Sequence, residues 1–85
     1  MPLIRIYTTP FCGYCRSALR LLQEKGVAFE QIDVTGDREK RAWLRDVSGR
    51  HTVPQVFAGE RSLGGYTDLL ALEAEGELDA VLGLE

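Results

Sequence analysis

Two cysteines, Cys12 and Cys15, stand three positions apart near the N-terminus. A structural zinc site needs four ligands, and this chain supplies only these two cysteines and one histidine. A secreted disulfide scaffold would use more cysteines at wider spacing, because closing a very small loop restrains the unfolded chain little. Two cysteines at this spacing, between a strand and a helix, instead favour a redox pair that cycles between dithiol and disulfide. Two ordinary buried cysteines are the plain alternative.

The surroundings of the two cysteines predict a division of roles. Cys12 lies at a predicted helix start, where unpaired backbone N–H groups and the helix dipole stabilise an anion. The thiolate is the nucleophile in disulfide exchange, and Arg16 and Arg20 would add positive charge one turn further along. Cys15 lies inside the first turn, is better shielded, and suits the role of a resolving thiol.

Hydrophobic periodicity predicts the elements that position this pair. A strand, a helix and a second strand within the first 34 residues form a βαβ unit, which implies parallel strands and a right-handed crossover. A second helix, a hairpin with a two-residue turn and a last helix interrupted by Gly76 follow. The predicted strands are 3–7, 27–34, 54–58 and 61–63, and the predicted helices are 14–25, 38–48 with Asp37 as N-cap, and the last one from about residue 66. This β-α-β-α-β-β-α order predicts an α/β, thioredoxin-like fold with a four-stranded mixed sheet and three main helices, in a single domain over residues 1–85.

Composition and charge narrow the classes of partner. An apolar share of 45% and a charged share of 27% exclude a wholly disordered chain. The net charge is −3, but residues 1–61 hold all ten basic side chains against seven acids, whereas residues 62–85 hold six acids and no base. This distribution suggests a small anionic ligand rather than nucleic acid. Because no run of 18 apolar residues and no signal peptide occur, a cytoplasmic protein without a membrane partner is expected.

Two downstream motifs offer groups that could hold a ligand near the cysteines. Pro54 opens a strand, and a cis Val53–Pro54 bond facing the redox pair would leave the Val53 N–H and C=O free to pair with an extended peptide. Gly64-Gly65 permits close backbone approach, and the helix start after it offers N–H groups to a carboxylate. Asp68 could then hold an ammonium group. An amine and a carboxylate on one carbon describe the γ-glutamyl end of glutathione.

Taken together, these motifs resemble those of the glutaredoxins, across essentially the whole chain. The similarity is greatest to the short bacterial members with two active-site cysteines, and it rests on Tyr7-Thr8, Cys12-Gly13-Tyr14-Cys15, Ser48-Gly49-Arg50, Thr52-Val53-Pro54 and Gly64-Gly65-x-x-Asp68-Leu69. The resemblance implies a glutathione-dependent thiol–disulfide oxidoreductase in which Cys12 attacks the substrate disulfide and Cys15 can resolve the mixed disulfide. It also implies protein disulfides as partners and a monomer as the working form. The glutathione contacts that it implies are Tyr14, Arg41, Thr52, Val53, Pro54, Gly65, Thr67 and Asp68.

Two positions depart from the family pattern. Gly13 stands where proline is commonest, and Thr9 stands where many members have a lysine, although Arg16, Arg41 or Arg50 could supply the missing charge. The Cys-Gly-Tyr-Cys form also resembles mycoredoxins, which act on another low-molecular-weight thiol. Redoxins that serve ribonucleotide reductase share the size.

An iron–sulfur carrier is the alternative function, and His51 is a residue whose role is less clear from the sequence than that of the cysteines. In such a carrier, the Cys12 thiolates of two subunits and two external thiols hold a [2Fe–2S] cluster. Glycine at position 13 would permit the close approach that such a dimer needs. His51 is expected to be a solvated loop residue, with proton transfer as the alternative.

Overall fold

Strands and helices alternate along the chain in the predicted order. The computed structural model describes residues 2–50 and 52–84, so the expectation for His51 lies outside the described residues. Within these ranges, none of the helices is long and apolar enough to cross a membrane. The elements are β1 (Ile4–Thr8), α1 (Gly13–Glu24), β2 (Phe29–Asp33), α2 (Arg38–Ser48), β3 (Gln55–Ala58), β4 (Arg61–Gly64), α3 (Tyr66–Ala74) and α4 (Leu78–Val81).

Most boundaries lie within two residues of the prediction, and the last helix differs most. The chain leaves α3 through Gly76, which has a left-handed φ of +75°, and resumes as the separate short helix α4. The second strand is shorter than predicted and spans Phe29–Asp33. Val27 and Val34 are buried, but they lie outside the strand.

The four strands form one mixed sheet in the order β2-β1-β3-β4, which confirms the predicted α/β fold. β1 runs parallel to β2 and antiparallel to β3, and β3 and β4 form the hairpin. Tyr7 near the end of β1 therefore pairs with Gln55 at the start of β3. This register brings the Thr52-Val53-Pro54 segment beside the loop that carries Cys12.

Helices cover both faces of the sheet, and alternation along β1 supplies both cores. Ile4 and Ile6 pack with buried residues of α1, α3 and α4, including Leu22 and Leu69. Tyr7 points to the opposite face, into a smaller cluster that includes Leu44 of α2. The two cores hold α1 and α2 against opposite faces of the sheet. Substitution of one of these buried leucines with alanine lowers the free energy of unfolding by about 2–5 kcal/mol.

Local capping fixes the helix ends that frame the site. Asp37 is the N-cap of α2, as predicted, and its carboxylate accepts a hydrogen bond from the Lys40 N–H at 2.9 Å. The same helix ends at Gly49, whose left-handed φ of 74° turns the chain sharply. Arg50 follows this turn directly.

Candidate active site

Cys12 is the N-cap residue of α1, and its sulfur takes part in two hydrogen bonds. The sulfur accepts the Cys15 backbone N–H at 3.2 Å. The thiol also donates to the Val53 carbonyl oxygen at 3.7 Å. The N–H donor can pair with the sulfur in either protonation state, whereas the carbonyl can pair only with the protonated thiol, which alone carries a hydrogen to donate. Deprotonation of Cys12 therefore frees the Val53 carbonyl, which a sequence-based expectation had left unpaired.

Cys15 has a different environment from its neighbour. Its side chain is buried, with 2% exposure, whereas Cys12 is half-buried, and both thiols are free. Burial, with a smaller effect from the hydrogen bond to Cys12, raises the pKa of the Cys15 thiol to about 12. A backbone hydrogen bond with Thr9 opposes that rise only in part. Cys15 is thus a protonated, shielded thiol at neutral pH in the reduced protein.

The segment before β3 is held by a residue that the sequence did not single out. The Val53–Pro54 peptide bond is cis. Gln55 is fully buried, and its amide nitrogen donates to the carbonyl oxygen of Thr52 at 3.1 Å and to the Thr52 hydroxyl at 3.3 Å. Gln55 thereby fixes the backbone that precedes Val53. A glutamine opening the apolar strand Gln55–Ala58 was the signal available in the sequence.

A groove of about 290 Å³ begins beside this segment and ends at the start of α3. It brings together seven of the eight predicted glutathione contacts. The eighth, Arg41, lies on an exposed part of α2 and does not line the groove. The lining residues are Tyr14, Arg50, Thr52, Val53, Pro54, Gly65, Tyr66, Thr67 and Asp68.

Asp68 is the carboxylate of this groove, and it already binds a cation. The Arg50 guanidinium donates to its two oxygens at 2.5 and 3.2 Å, and the Gly65 N–H donates at 2.8 Å. The ion pair with Arg50, supported by the Gly65 N–H, holds the pKa of Asp68 below its usual range. Asp68 is therefore an anion at neutral pH, and its carboxylate can pair with a cationic group.

The two glycines before α3 leave space that side chains at these positions would fill. Gly64 has a φ of +88°, and a Cβ there would lie 2.5 Å from the Asp68 Oδ2 atom. A Cβ at Gly65 would lie 3.2 Å from the Pro54 carbonyl oxygen. The two glycines therefore make room for Asp68 and the Pro54 carbonyl, and Gly65 also lines the groove.

A second cavity is lined by both cysteines. It measures about 250 Å³ and shares no residue with the groove. Of the two arginines predicted to assist Cys12, Arg16 lines this cavity together with both cysteines, whereas Arg20 is exposed and lines neither space. The remaining lining residues are Thr8, Thr9, Pro10, Phe11, Leu19, Gln31 and Asp33.

Comparison with known proteins identifies the family. The glutaredoxin family profile matches residues 4–63. A glutaredoxin of Pseudomonas aeruginosa is 51% identical over 82 residues, covering 96% of this chain and 98% of the relative. The chain belongs to the glutaredoxin family. Family membership and the free cysteine pair make this glutaredoxin a thiol–disulfide oxidoreductase.

Solved structures agree with this assignment. The solution structure of glutaredoxin from Brucella melitensis is 46% identical, with a TM-score of 0.87, and the match covers 99% of this glutaredoxin and 91% of that chain. The crystal structure of a buckwheat glutaredoxin–glutathione complex is 25% identical, with a TM-score of 0.88, over 96% of this chain and 77% of that one. The predicted thioredoxin-like architecture is therefore confirmed.

Proposed function

We propose that this glutaredoxin uses glutathione to reduce mixed disulfides between glutathione and other thiols, including those of proteins. One observation carries the proposal. A groove with an anionic carboxylate at one end, Asp68, opens beside the backbone that contacts the nucleophilic sulfur of Cys12. The buckwheat relative, solved as a complex with glutathione, supports the same ligand class.

The γ-glutamyl and cysteinyl parts of glutathione have matching groups in the groove. The α-ammonium group pairs with the Asp68 carboxylate, in competition with Arg50. The neighbouring α-carboxylate accepts from backbone N–H groups at the start of α3, near Thr67. The cysteinyl part lies along the Val53 backbone, whose carbonyl is released when Cys12 ionises. The phenol ring of Tyr14, at 64% exposure, forms the outer wall.

The glycine carboxylate of glutathione lies beyond the part of the groove that holds the γ-glutamyl group. Arg41, which the family resemblance assigned to this contact, is retained as the proposed partner. Its exposed position on α2, outside the groove, limits it to a solvent-screened interaction.

The chemistry is two successive thiol–disulfide exchanges. The Cys12 thiolate attacks the glutathionyl sulfur, the substrate S–S bond breaks, and the second thiol leaves as a thiolate that takes up a proton. The product is a disulfide between Cys12 and glutathione. A second glutathione thiolate then attacks the glutathionyl sulfur, forms glutathione disulfide, and returns Cys12 to its thiolate. Cys15 can instead attack the Cys12 sulfur, but the reduced protein keeps Cys15 protonated and buried, so free glutathione is the favoured resolving thiol.

The proposal is tested by changing the electron source. The substrate is the mixed disulfide of glutathione and 2-mercaptoethanol, and consumption of NADPH is followed in two parallel assays. One contains glutathione with glutathione reductase, and the other contains thioredoxin reductase alone. We expect turnover in the first assay only, with Cys12→Ser as the inactive control. Equal or faster turnover with thioredoxin reductase would contradict glutathione dependence and favour a redoxin that draws electrons directly from that reductase.

The cellular setting follows from the same chemistry. A Cys12 thiol that must be returned to its reduced form after each cycle suits the reducing cytoplasm, where glutathione is kept reduced. Protein disulfides are the proposed partners, and the monomer is the proposed working form.

The iron–sulfur alternative needs ligands from more than one chain. Among the residues that the structure describes, no group of three or more histidine, cysteine or acidic side chains could hold a metal ion. A [2Fe–2S] cluster would need ligands from a second copy and from external thiols. A brown, dimeric product after reconstitution with iron, sulfide and glutathione would support that role.

A further inference from the structure

Phe11, the residue immediately before Cys12, combines two unfavourable features. Its side chain is 99% exposed, the highest value among the large hydrophobic residues in the described part of the chain. Its φ is 64°, and it is the one described residue other than glycine with a positive φ. A bulky aromatic residue in the left-handed region is a genuine outlier, and such strain clusters at functional sites.

The position of Phe11 separates it from the proposed glutathione groove. It lines the second cavity, together with Pro10, Leu19 and both cysteines, and it does not line the groove. Phe11 is therefore not among the residues that surround a glutathione molecule seated in this groove. A larger substrate, whose chain extends past the sulfur of Cys12 into the second cavity, would contact this ring.

The charges around Phe11 limit what it can recognise. Arg16 and Asp33 line the same cavity and carry opposite charges, so the cavity favours neither an acidic nor a basic partner strongly. The ring of Phe11 and the side chains of Pro10 and Leu19 supply apolar area. Burial of about 40 Å² of apolar surface changes an affinity about five-fold.

We propose that Phe11 is a docking contact for the protein half of a mixed disulfide, and that it favours substrates with an apolar side chain beside the modified cysteine. This inference rests on the proposed glutathione-dependent function. It assigns the second cavity to the partner that leaves after the first exchange, whereas the groove retains the glutathionyl half. The chemical steps are unchanged, because Phe11 contacts the substrate and takes no part in bond formation.

Two glutathionylated pentapeptides test the inference. They differ only in whether leucine or serine stands on either side of the modified cysteine, and kcat/KM is measured for each with glutathione and glutathione reductase. We expect the wild-type protein to favour the leucine peptide about five-fold. Phe11→Asn tolerates the left-handed backbone and removes the ring, so it should bring the ratio of the two values close to one. Phe11→Trp keeps an aromatic ring and should retain the preference for the leucine peptide. Leu3→Ala, a change at another exposed apolar residue, should leave the ratio as in the wild type.

The outcomes separate this inference from the proposed function. Wild-type turnover of both peptides without a preference for leucine would overturn the role of Phe11 and leave the proposed function standing. An equal loss for both peptides in Phe11→Asn would also overturn it, since the residue would then only support the loop that carries Cys12. No wild-type turnover of either peptide would reject the proposed function and, with it, the inference.

Discussion

The Cys12 thiol donates a hydrogen bond to the carbonyl oxygen of Val53 at 3.7 Å, although 41 positions separate the two residues. The bond links the nucleophile to the backbone along which an extended ligand would lie. Ionisation of Cys12 removes the donor, so activation of the thiol and exposure of the Val53 carbonyl occur in one step. The free carbonyl is then available to an N–H group of the ligand.

The contrast between the two cysteines predicts selective alkylation. At pH 7, limiting iodoacetamide should modify Cys12 and leave Cys15 unmodified, because Cys15 is buried and its pKa is raised to about 12. Peptide mass spectrometry after trypsin digestion measures both sites. Cys15→Ser should react at the wild-type rate, and Cys12→Ser should react far more slowly. Equal modification of the two cysteines in the folded wild-type protein would contradict the assignment.

The ion pair between Arg50 and Asp68 predicts a gain of affinity on removing the arginine. Arg50→Gln leaves the Asp68 carboxylate without its resident cation, so the ammonium group of a ligand no longer has to compete. We expect the unreactive analogue S-methylglutathione to bind roughly 2- to 5-fold more tightly by calorimetry, the scale of one exposed ion pair.

Arg45→Gln is the matched control for that experiment. It removes the same charge from an exposed position in the last turn of α2, and its side chain does not line the groove. Its affinity for the analogue should equal that of the wild type. Weaker binding by Arg50→Gln would contradict the competition and indicate that the guanidinium itself contacts the ligand.

The lowered pKa of Asp68 predicts how stability depends on pH. A carboxyl group whose pKa is lower in the folded state than in the unfolded state stabilises the fold above the unfolded value, about 3.9 for aspartate. That contribution is lost as the pH falls through the folded value. The difference in unfolding free energy between wild type and Asp68→Asn should therefore be constant from pH 5 to 7 and shrink below about pH 4.

Urea unfolding at a series of pH values measures this difference. Asparagine can still accept the Gly65 N–H, so the variant removes charge while keeping the cap of α3. Glu24→Gln, on the exposed end of α1, provides the control for a general charge effect. A difference that stays constant down to pH 2 would show that the Arg50 contact does not act on Asp68 in solution.

Features that depend on neighbouring residues could be predicted from the sequence. Cys12 at a helix start and Asp37 as a cap depend on neighbours within one turn, and both were correctly placed. The pairing of Arg50 with Asp68 spans 18 positions and depends on the turn at Gly49 after α2. The local sequence therefore does not show whether Arg41 or Arg50 lies at the groove.

The strained residue Phe11 and the buried residue Gln55 were harder to find than the helix caps. Phe11 reads as an ordinary loop aromatic until its backbone angle and exposure are known. Gln55 reads as part of a strand until its amide is seen to hold Thr52. The Gln55–Thr52 contact spans only three positions, but the burial of Gln55 depends on the antiparallel pairing of β3 with β1, which local spacing does not reveal.

Kinetics of the single-cysteine variants test the central claim most directly. The reduction of the glutathione–2-mercaptoethanol disulfide is measured with glutathione and glutathione reductase for wild type, Cys12→Ser and Cys15→Ser. Cys15→Ser should retain turnover and accumulate a disulfide between Cys12 and glutathione when oxidised glutathione is added, as seen by intact mass. Cys12→Ser should show no turnover and no adduct. Turnover by Cys12→Ser, or its loss in Cys15→Ser, would contradict a mechanism in which Cys12 alone carries the glutathionyl group.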